Sequence, residues 1–213
     1  MRMVSSGQKG YKMKILNLYA GVGGNRRLWG DKHEITAVEL NPSVASCYKD
    51  LYPNDTVIVG DAHQYLLDHY KEFDFIWASP PCQSHSDIRR MGAQIGRYKA
   101  VFPDAHLWEE IVFLKHFFKK DWVIENVVPY YKPFIQPAFN LGSHVYWSNK
   151  MVLDNGASKY RAHKKGNAEL QERKQIDLSK YKFKGIDKRQ VLRNMVEPED
   201  GKYIFEQITG ARQ

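Results

Sequence analysis

Short apolar segments alternate with amphipathic segments over the first 127 residues. Five nearly continuous apolar runs predict strands, at 14–21, 34–40, 56–61, 73–79 and 121–126. Helices are predicted between the strands, one starting at the capping pair Asn41-Pro42 and another capped by Asp104 and running through Lys120. Apolar strands separated by helices are typical of a parallel sheet that is covered on both faces. We therefore predict an α/β protein with a doubly wound, mostly parallel sheet.

The positive charge of the chain is concentrated in one segment. The 213 residues carry a formal net charge of +8, and most of the excess lysine and arginine lies in residues 151–193. Residues 151–187 also show little apolar periodicity, which predicts an insertion or a small lobe. A local basic segment suits a polyanionic partner, because each phosphate contact releases counterions. A solvated, lysine-rich surface loop explains the same charge, so both interpretations stay open.

Cysteine content and hydropathy exclude several classes of protein. Cys47 and Cys82 are the two cysteines, and their separation excludes a disulfide framework and a zinc finger. No apolar run is long enough to cross a bilayer, and residues 1–14 lack the apolar core of a secretory signal. We expect a cytoplasmic protein with no membrane partner.

Polar and glycine residues gather at the predicted carboxyl ends of the strands, where sheets of this kind bind their ligands. The first strand runs into a glycine turn at 21–24, which would let a ligand approach the backbone closely. Glu39, at the end of the second strand, is placed to bond ribose hydroxyls, and Asp61, at the end of the third, could accept a bond from the amine of adenine. These positions predict a nucleoside-containing cofactor. NAD fits the spacing of Gly21 and Glu39 but leaves Cys82 without a role.

Cys82 is the strongest candidate for a nucleophile. It follows two prolines that fix the backbone, and Arg89 and Arg90 come soon after it. A thiolate is the reactive form, and nearby cations lower the pKa of a thiol, so we expect Cys82 to be activated. The alternative, an inert buried cysteine, fits Cys47 better, because Cys47 lies in the middle of a predicted helix.

Glu125 ends the apolar strand at 121–126. A carboxyl in such a place is costly unless it has a partner or a function. Burial favours its neutral form, which could donate a proton. A structural acid held in a salt bridge remains the alternative.

Seven motifs resemble the cytosine-5 DNA methyltransferases. In chain order they are LNLYAGVGG (16–24), AVELNP (37–42), GDAH (60–63), SPPCQS (79–84), VIENV (123–127), GSHVYWSN (142–149) and RNMVEP (193–198). The resemblance covers residues 14–149 and about 188–208 and is closest to small bacterial or phage members. It implies a Rossmann-like, S-adenosylmethionine-dependent methyltransferase fold.

The resemblance also implies a role for each matching residue. Residues implied to line the S-adenosylmethionine site are Tyr19, Ala20, Gly21, Gly23, Gly24, Glu39, Leu40, Asp61, Ala62, Pro80, Asn194 and Val196. Cys82 would attack carbon 6 of a cytosine in DNA, and Glu125 would protonate its ring nitrogen 3. Residues implied to contact the base or the nucleic acid are Gln83, Ser84, Arg89, Arg90, Asn126 and His144. No metal ligand is implied.

The implied reaction requires the cytosine to leave the duplex, because carbon 5 cannot be reached inside it. Residues 83–103 include Gly92 and Gly96, and this loop is predicted to close over the flipped base. A surface loop that is merely mobile is the alternative.

Two departures from the family pattern leave other functions open. The family's eighth motif usually supplies an arginine near the cytosine, whereas this chain has Ser143 and His144, and His144 could take over part of that role. The segment at 151–187 is also shorter than the family's usual recognition region. We divide the chain into a catalytic core (1–150), a reduced basic recognition segment (151–187) and a returning C-terminal segment (188–213). RNA cytosine-5 methylation, methylation of an exocyclic amine and a non-catalytic DNA-binding relative are the alternatives to DNA cytosine-5 methylation.

Overall fold

The computed structural model describes residues 12–154, 156 and 166–211. In this part of the chain seven strands form one sheet, in the order β3-β2-β1-β4-β5-β7-β6. The strands are β1 (Lys14–Leu18), β2 (Glu34–Glu39), β3 (Thr56–Val59), β4 (Phe75–Ala78), β5 (Asp121–Val127), β6 (Phe139–Leu141) and β7 (His144–Ser148). The helices are α1 (Pro42–Leu51), α2 (Ala62–His69), α3 (Asp87–Gln94), α4 (His106–Phe117), α5 (Asn167–Arg173), α6 (Lys188–Asn194) and α7 (Pro198–Thr209).

The predicted doubly wound, mostly parallel sheet is confirmed. Strands β1 to β5 pair in parallel, and β1 lies between β2 and β4, so the strand order reverses there. Strand β7 runs antiparallel to β5, and β6 runs antiparallel to β7. Gly142 and Ser143 join these last two strands, and Gly142 has a φ of +58°, which suits a two-residue hairpin.

Apolar layers cover both faces of the sheet, because neighbouring residues in a strand point to opposite sides. One face packs against α2 and α4 through Leu16, Ile76, Ile124, Leu66 and Ile111. The other face packs against α7 through Ile15, Phe75, Val123, Ile204 and Phe205. The sheet is thereby buried on both faces.

Two predicted helix starts can be compared with the structure. Asn41 is the N-cap of α1, where its side-chain oxygen accepts bonds from the N–H groups of Ser43 and Val44, as predicted. Asp104 accepts a bond from the N–H of His106 at 3.1 Å, but the N-cap of α4 is Ala105 and the helix ends at Phe117, short of the predicted end.

Four of the five predicted strands extend too far at their carboxyl ends, by one to three residues. The first is predicted to reach residue 21, whereas β1 ends at Leu18. Tyr19 and Gly21 have positive φ values of 54° and 55°, so the chain leaves the extended conformation at this point. The cavity wall begins where the strand stops.

The described part of the predicted insertion packs onto the core. Leu170, Ile176 and Leu178 are buried in one cluster with Val44 and Cys47 of α1. Four cations of the predicted basic segment, Lys159, Arg161, Lys164 and Lys165, lie outside the described residues, as do residues 1–11 of the predicted core and 212–213 of the predicted C-terminal segment. Among the described helices, none has both the length and the apolar character needed to span a bilayer.

Candidate active site

A cavity of about 700 Å³ lies at the carboxyl ends of the parallel strands. Its volume is within the range of about 300–1,000 Å³ that is usual for small-molecule sites. Sequence-predicted site residues in its wall are Tyr19, Ala20, Gly21, Gly24, Glu39, Leu40, Asp61, Ala62, Pro80, Cys82, Gln83, Glu125, His144, Asn194 and Val196. The fold therefore brings the candidate nucleophile, the candidate acid and the glycine turn to one cavity.

Glu39 holds the glycine turn in place. Its two carboxylate oxygens accept bonds from the N–H groups of Gly21 at 2.9 Å and Asn41 at 2.8 Å. Burial raises the pKa of Glu39, and these backbone N–H groups act in the opposite direction. A side chain built on Gly21 would meet no atom within 4 Å, so the turn leaves open space beside its backbone.

Gly23 lies outside the cavity wall, and its predicted contact with the cofactor stays a prediction. A Cβ atom at Gly23 would lie 2.4 Å from Tyr52 and 2.9 Å from Tyr48, so this glycine allows the turn to pack against two aromatic rings. Gly24 does lie in the wall, and a Cβ atom there would lie 2.6 Å from the carbonyl oxygen of Val196. The absence of a side chain at Gly24 therefore allows the C-terminal segment to pack closely against the cavity wall.

The residues that follow the second and third strands contribute both polar and apolar side chains to the cavity wall. Asp61 is exposed at the cavity and caps α2, where its Oδ1 accepts a bond from the N–H of Gln64 at 2.9 Å. Leu40 is 70% exposed although it is apolar. Ala62 is buried in the wall. An apolar surface beside a carboxylate suits a ligand with an aromatic ring that carries an amine.

Lys174 anchors the C-terminal part of the wall. This buried lysine donates bonds to the carbonyl of Met195 and to Glu197, and Arg173 also bonds Glu197, at 2.8 Å. Burial lowers the pKa of Lys174, while the charge of Glu197 acts against that change. Asn194 and Val196 lie directly beside these contacts, so α5 fixes their position.

Pro80 and Pro81 carry Cys82 into the cavity. The amide of Asn126 donates a bond to the carbonyl of Pro80 at 3.1 Å, and its oxygen accepts a bond from the N–H of Val127. Asn126 is 1% exposed and lies outside the cavity wall, so its predicted contact with a base stays a prediction. It joins β5 to the loop that follows β4.

The Cys82 thiol is not activated in this structure, contrary to the expectation from its sequence neighbours. Burial raises its pKa to about 11, the charge of Glu125 adds to the increase, and Arg193 opposes it. The two arginines that were expected to activate it contact other groups: the Arg89 guanidinium lies 4.6 Å from the ring centre of Tyr98, and Arg90 lies over the ring of Tyr130.

Helix α3 lies within the predicted loop at 83–103, and side chains of this segment bond to neighbouring residues. Gln83 lines the cavity, whereas Ser84 lies outside its wall and accepts a bond from the N–H of Asp104 at 2.9 Å. Arg90 also bonds Asp87 one turn earlier in α3. Arg89 and Arg90 also lie outside the cavity wall, and the predicted contacts of these residues and of Ser84 with a base stay predictions.

His144 and Glu125 meet across neighbouring strands. Nε2 of His144, the first residue of β7, lies 3.5 Å from Oε1 of Glu125 on β5. Both side chains line the cavity. The residue that stands where the family motif usually has arginine therefore contacts the candidate acid.

A buried acid on α4 was missed by the sequence analysis. Glu110 is fully buried and bonds the hydroxyl of Tyr19 and Nδ1 of His63. Burial raises the pKa of Glu110, while these two bonds counteract the increase. The signal in the sequence was the spacing of the residues. Glu110 lies three residues after Leu107 and four before Leu114, which places a carboxyl on the apolar face of a helix.

Comparison with known proteins decides the family. A family model described as C-5 cytosine-specific DNA methylase matches residues 13–129. The chain belongs to this family. The match contains the glycine turn, Glu39, Asp61, Cys82 and Glu125, and it confirms the predicted resemblance.

Individual relatives of this chain include proteins named as a Type II methyltransferase and as tRNA methyltransferases. The chain is 32% identical over 125 residues to the Type II methyltransferase M1.HphI of Haemophilus parahaemolyticus, covering 54% of this chain and 32% of that protein. It is 28% identical over 86 residues to the human tRNA (cytosine(38)-C(5))-methyltransferase, covering 38% of this chain and 22% of that protein. The chain thus spans about a third or less of the length of these relatives.

A solved structure is also matched over only part of its length. A mutant of DNMT2 from Spodoptera frugiperda is 27% identical, with a TM-score of 0.40, over 54% of this chain and 35% of that one. His144 and the C-terminal part of the cavity wall lie outside the residues that the family model matches.

Proposed function

We propose that this chain is a DNA cytosine-5 methyltransferase that uses S-adenosylmethionine and a covalent Cys82 adduct. The observation that carries the proposal is one cavity lined by Cys82, Glu125 and the glycine turn at Gly21. Membership of the cytosine-5 methylase family supports the same chemistry. A nucleophile and an acid around one pyrimidine, next to a cofactor site, are what methylation at carbon 5 requires.

The wall of the cavity suits S-adenosylmethionine. The open space at Gly21 would accommodate a ligand close to the backbone, and Glu39 and Asp61 offer carboxylates for ribose hydroxyls and for the amine of adenine. Leu40 and Ala62 supply apolar surface, and Asn194 and Val196 close the cavity from the C-terminal side. S-adenosylmethionine supplies, when bound, an electrophilic methyl group on a sulfonium.

Cys82 and Glu125 would act together on the cytosine ring. The Cys82 sulfur forms a bond to carbon 6 while Glu125 gives a proton to nitrogen 3, and the ring electrons move towards carbon 5, which becomes the nucleophile. After methylation, carbon 5 loses its proton to a base, the sulfur–carbon bond breaks, and nitrogen 3 returns its proton. Covalent catalysis divides one difficult step into easier ones, and a positioned acid typically contributes about 10²–10⁴-fold.

The raised pKa of Cys82 means that the thiol must lose its proton before it can attack. Burial is the main cause of the increase, and the charge of Glu125 adds to it. Transfer of the thiol proton towards Glu125 would create both reactive forms at once.

DNA is the favoured substrate because the family model that matches is described as a DNA methylase. The charge of the chain suits a nucleic acid. The exposed cations Lys182, Lys184 and Arg189 lie in the segment where the sequence predicts phosphate contacts. Phosphate contacts of this kind position the nucleic acid and do not specify its sequence. The cytosine would have to be flipped into the cavity, at a cost of roughly a few kcal/mol.

A tRNA cytosine is the second candidate substrate. Two relatives are named as tRNA (cytosine(38)-C(5))-methyltransferases, from Homo sapiens and Spodoptera frugiperda. The residues proposed to bind the cofactor and the base do not themselves distinguish the sugars of DNA and RNA.

The test is transfer of a labelled methyl group from S-adenosylmethionine to duplex DNA and to tRNA, with the product base identified by mass spectrometry. We expect 5-methylcytosine in DNA from the unmodified protein and none from Cys82→Ser. Transfer to tRNA alone would select the second candidate. A product methylated on the exocyclic amine, or no transfer to either nucleic acid, would reject carbon-5 chemistry.

A further inference from the structure

Two histidines and a glutamate meet where helices α2 and α4 begin. Nε2 of His63 lies 3.7 Å from Oε2 of Glu109, and Nε2 of His106 lies 3.9 Å from the same oxygen. The two imidazole rings are stacked, with centroids 4.4 Å apart and an angle of 17° between their planes. The ligand atoms that the three residues offer all lie within 4.8 Å of one another.

We propose that His63, His106 and Glu109 form a binding site for a transition-metal ion of the Zn²⁺ class. Two imidazole nitrogens and one carboxylate oxygen form a donor set that suits zinc and its neighbours in the first transition series. Small shifts of the exposed His106 and Glu109 side chains would bring the three atoms to the separation of ligands around one ion, which binds each at about 2.0–2.2 Å.

The outer nitrogens of both histidines support this arrangement. Nδ1 of His63 lies 3.1 Å from the buried carboxylate of Glu110, and Nδ1 of His106 lies 3.5 Å from Asp104. A histidine that binds a metal almost always donates its other N–H to a carboxylate, a carbonyl or water, which fixes the tautomer and leaves a lone pair for the metal. In both histidines Nε2, which faces Glu109, is the nitrogen left to bind the metal.

The place of the site suggests what a metal would do there. His63 and His106 line the cavity, from α2 and α4 respectively, and Glu109 is exposed to solvent, so an ion could enter from outside. Three protein ligands leave a position for water or another ligand. A bound ion would connect α2 and α4 beside the existing bond between His63 and Glu110.

Sequence analysis assigned no metal ligand, because the three residues do not form a recognised short motif. His63 lies in one predicted motif, whereas His106 and Glu109 lie more than 40 residues later on another helix. Only the packing of α2 beside α4 brings them together.

Titration of the tag-free, chelator-treated protein with Zn²⁺ by calorimetry tests the site. We expect one saturable Zn²⁺ per chain, with affinity at least about ten-fold weaker in Glu109→Gln and in His106→Ala, since even loss of an outer-shell partner commonly costs 10–100-fold. His116→Ala is the matched control, because His116 is exposed on the same helix α4 and lies outside the cluster.

Glu109→Gln keeps the test valid if His106→Ala does not fold, because it changes an exposed side chain by one atom. Absence of saturable Zn²⁺ binding by the unmodified protein would overturn the proposal. It would also be overturned if both variants bound Zn²⁺ like the unmodified protein while Cys82→Ser did not, since the thiol in the same cavity would then be the ligand. Neither result depends on methyl transfer.

Discussion

Nε2 of His144 lies 3.5 Å from Oε1 of Glu125, the proposed acid of the cavity. The two residues belong to β7 and β5, which are antiparallel neighbours. The contact therefore fixes the Glu125 carboxyl from a strand that the family resemblance associates with an arginine. His144 is a positioning residue for the proposed proton donor.

Replacing His144 tests this contact. We expect His144→Gln to lower the rate of methyl transfer by up to about 100-fold, because a small misplacement of a catalytic group has costs of this size. Binding of S-adenosylmethionine should be unchanged, and His144→Arg should restore part of the rate. His69→Gln is the control, since His69 pairs with Glu72 at an exposed site. An unchanged rate in His144→Gln would mean that Glu125 is positioned by other contacts.

The pKa of Cys82 predicts how its reactivity depends on pH. With a pKa raised to about 11, the thiol is protonated at neutral pH, and its reactive thiolate fraction increases by about ten-fold per pH unit up to that value. Alkylation by iodoacetamide, followed by mass spectrometry from pH 7 to 9.5, should show this increase without a plateau. Cys47→Ser isolates the signal, because Cys47 is fully buried and its pKa is raised to about 12. A plateau below pH 9 would indicate an activated thiol.

Gly24 predicts a coupling between the glycine turn and the C-terminal wall. A Cβ atom in Gly24→Ala would lie 2.6 Å from the Val196 carbonyl oxygen, so the wall must move. We expect a loss of about 1–3 kcal/mol in the free energy of unfolding and weaker binding of S-adenosylmethionine. Gly60→Ala is the control, because its nearest contact would be an ordinary 3.9 Å. Urea denaturation and calorimetry give the two quantities; equal results for both variants would contradict the coupling.

The exposed cations of the segment after α5 should contribute to DNA binding. Changing Lys182, Lys184 and Arg189 to glutamine should weaken binding and reduce the slope of log K against log salt by about 0.9 for every phosphate that is no longer neutralised. Lys115 and Lys119 are the matched controls, because they are exposed near the end of α4 and the start of β5, away from the cavity. If the slope is the same for both sets, the segment is an ordinary solvated surface.

The sequence was sufficient to predict the sheet and the main contents of the cavity. The apolar runs predicted the parallel strands, and parallel strands bring their carboxyl ends to one side of the sheet. The residues at those ends, Glu39, Asp61, Cys82 and Glu125, line one cavity in the structure. The β6 strand was missed because Phe139–Leu141 is too short to show a period. Strand ends were overestimated where Tyr19 adopts a positive φ, a conformation that is rare for a residue of this type.

What the sequence could not supply was the orientation of individual side chains. Gly23 and Asn126 lie beside residues of the cavity wall, yet one packs against Tyr48 and Tyr52 and the other bonds Pro80. Arg89 is close to Cys82 in sequence but stacks on Tyr98, so the thiol lacks its expected activation. Such choices depend on tertiary contacts between distant segments.

Covalent trapping on duplex DNA that carries 5-fluorocytosine in place of cytosine tests the central claim most directly. Fluorine on carbon 5 cannot leave as a proton does, so the bond between sulfur and carbon 6 should persist after methyl transfer. In the presence of S-adenosylmethionine we predict a denaturant-stable adduct that peptide mapping assigns to Cys82 and that Cys82→Ser does not form. An adduct at Cys47, or 5-methylcytosine produced by Cys82→Ser, would contradict the account.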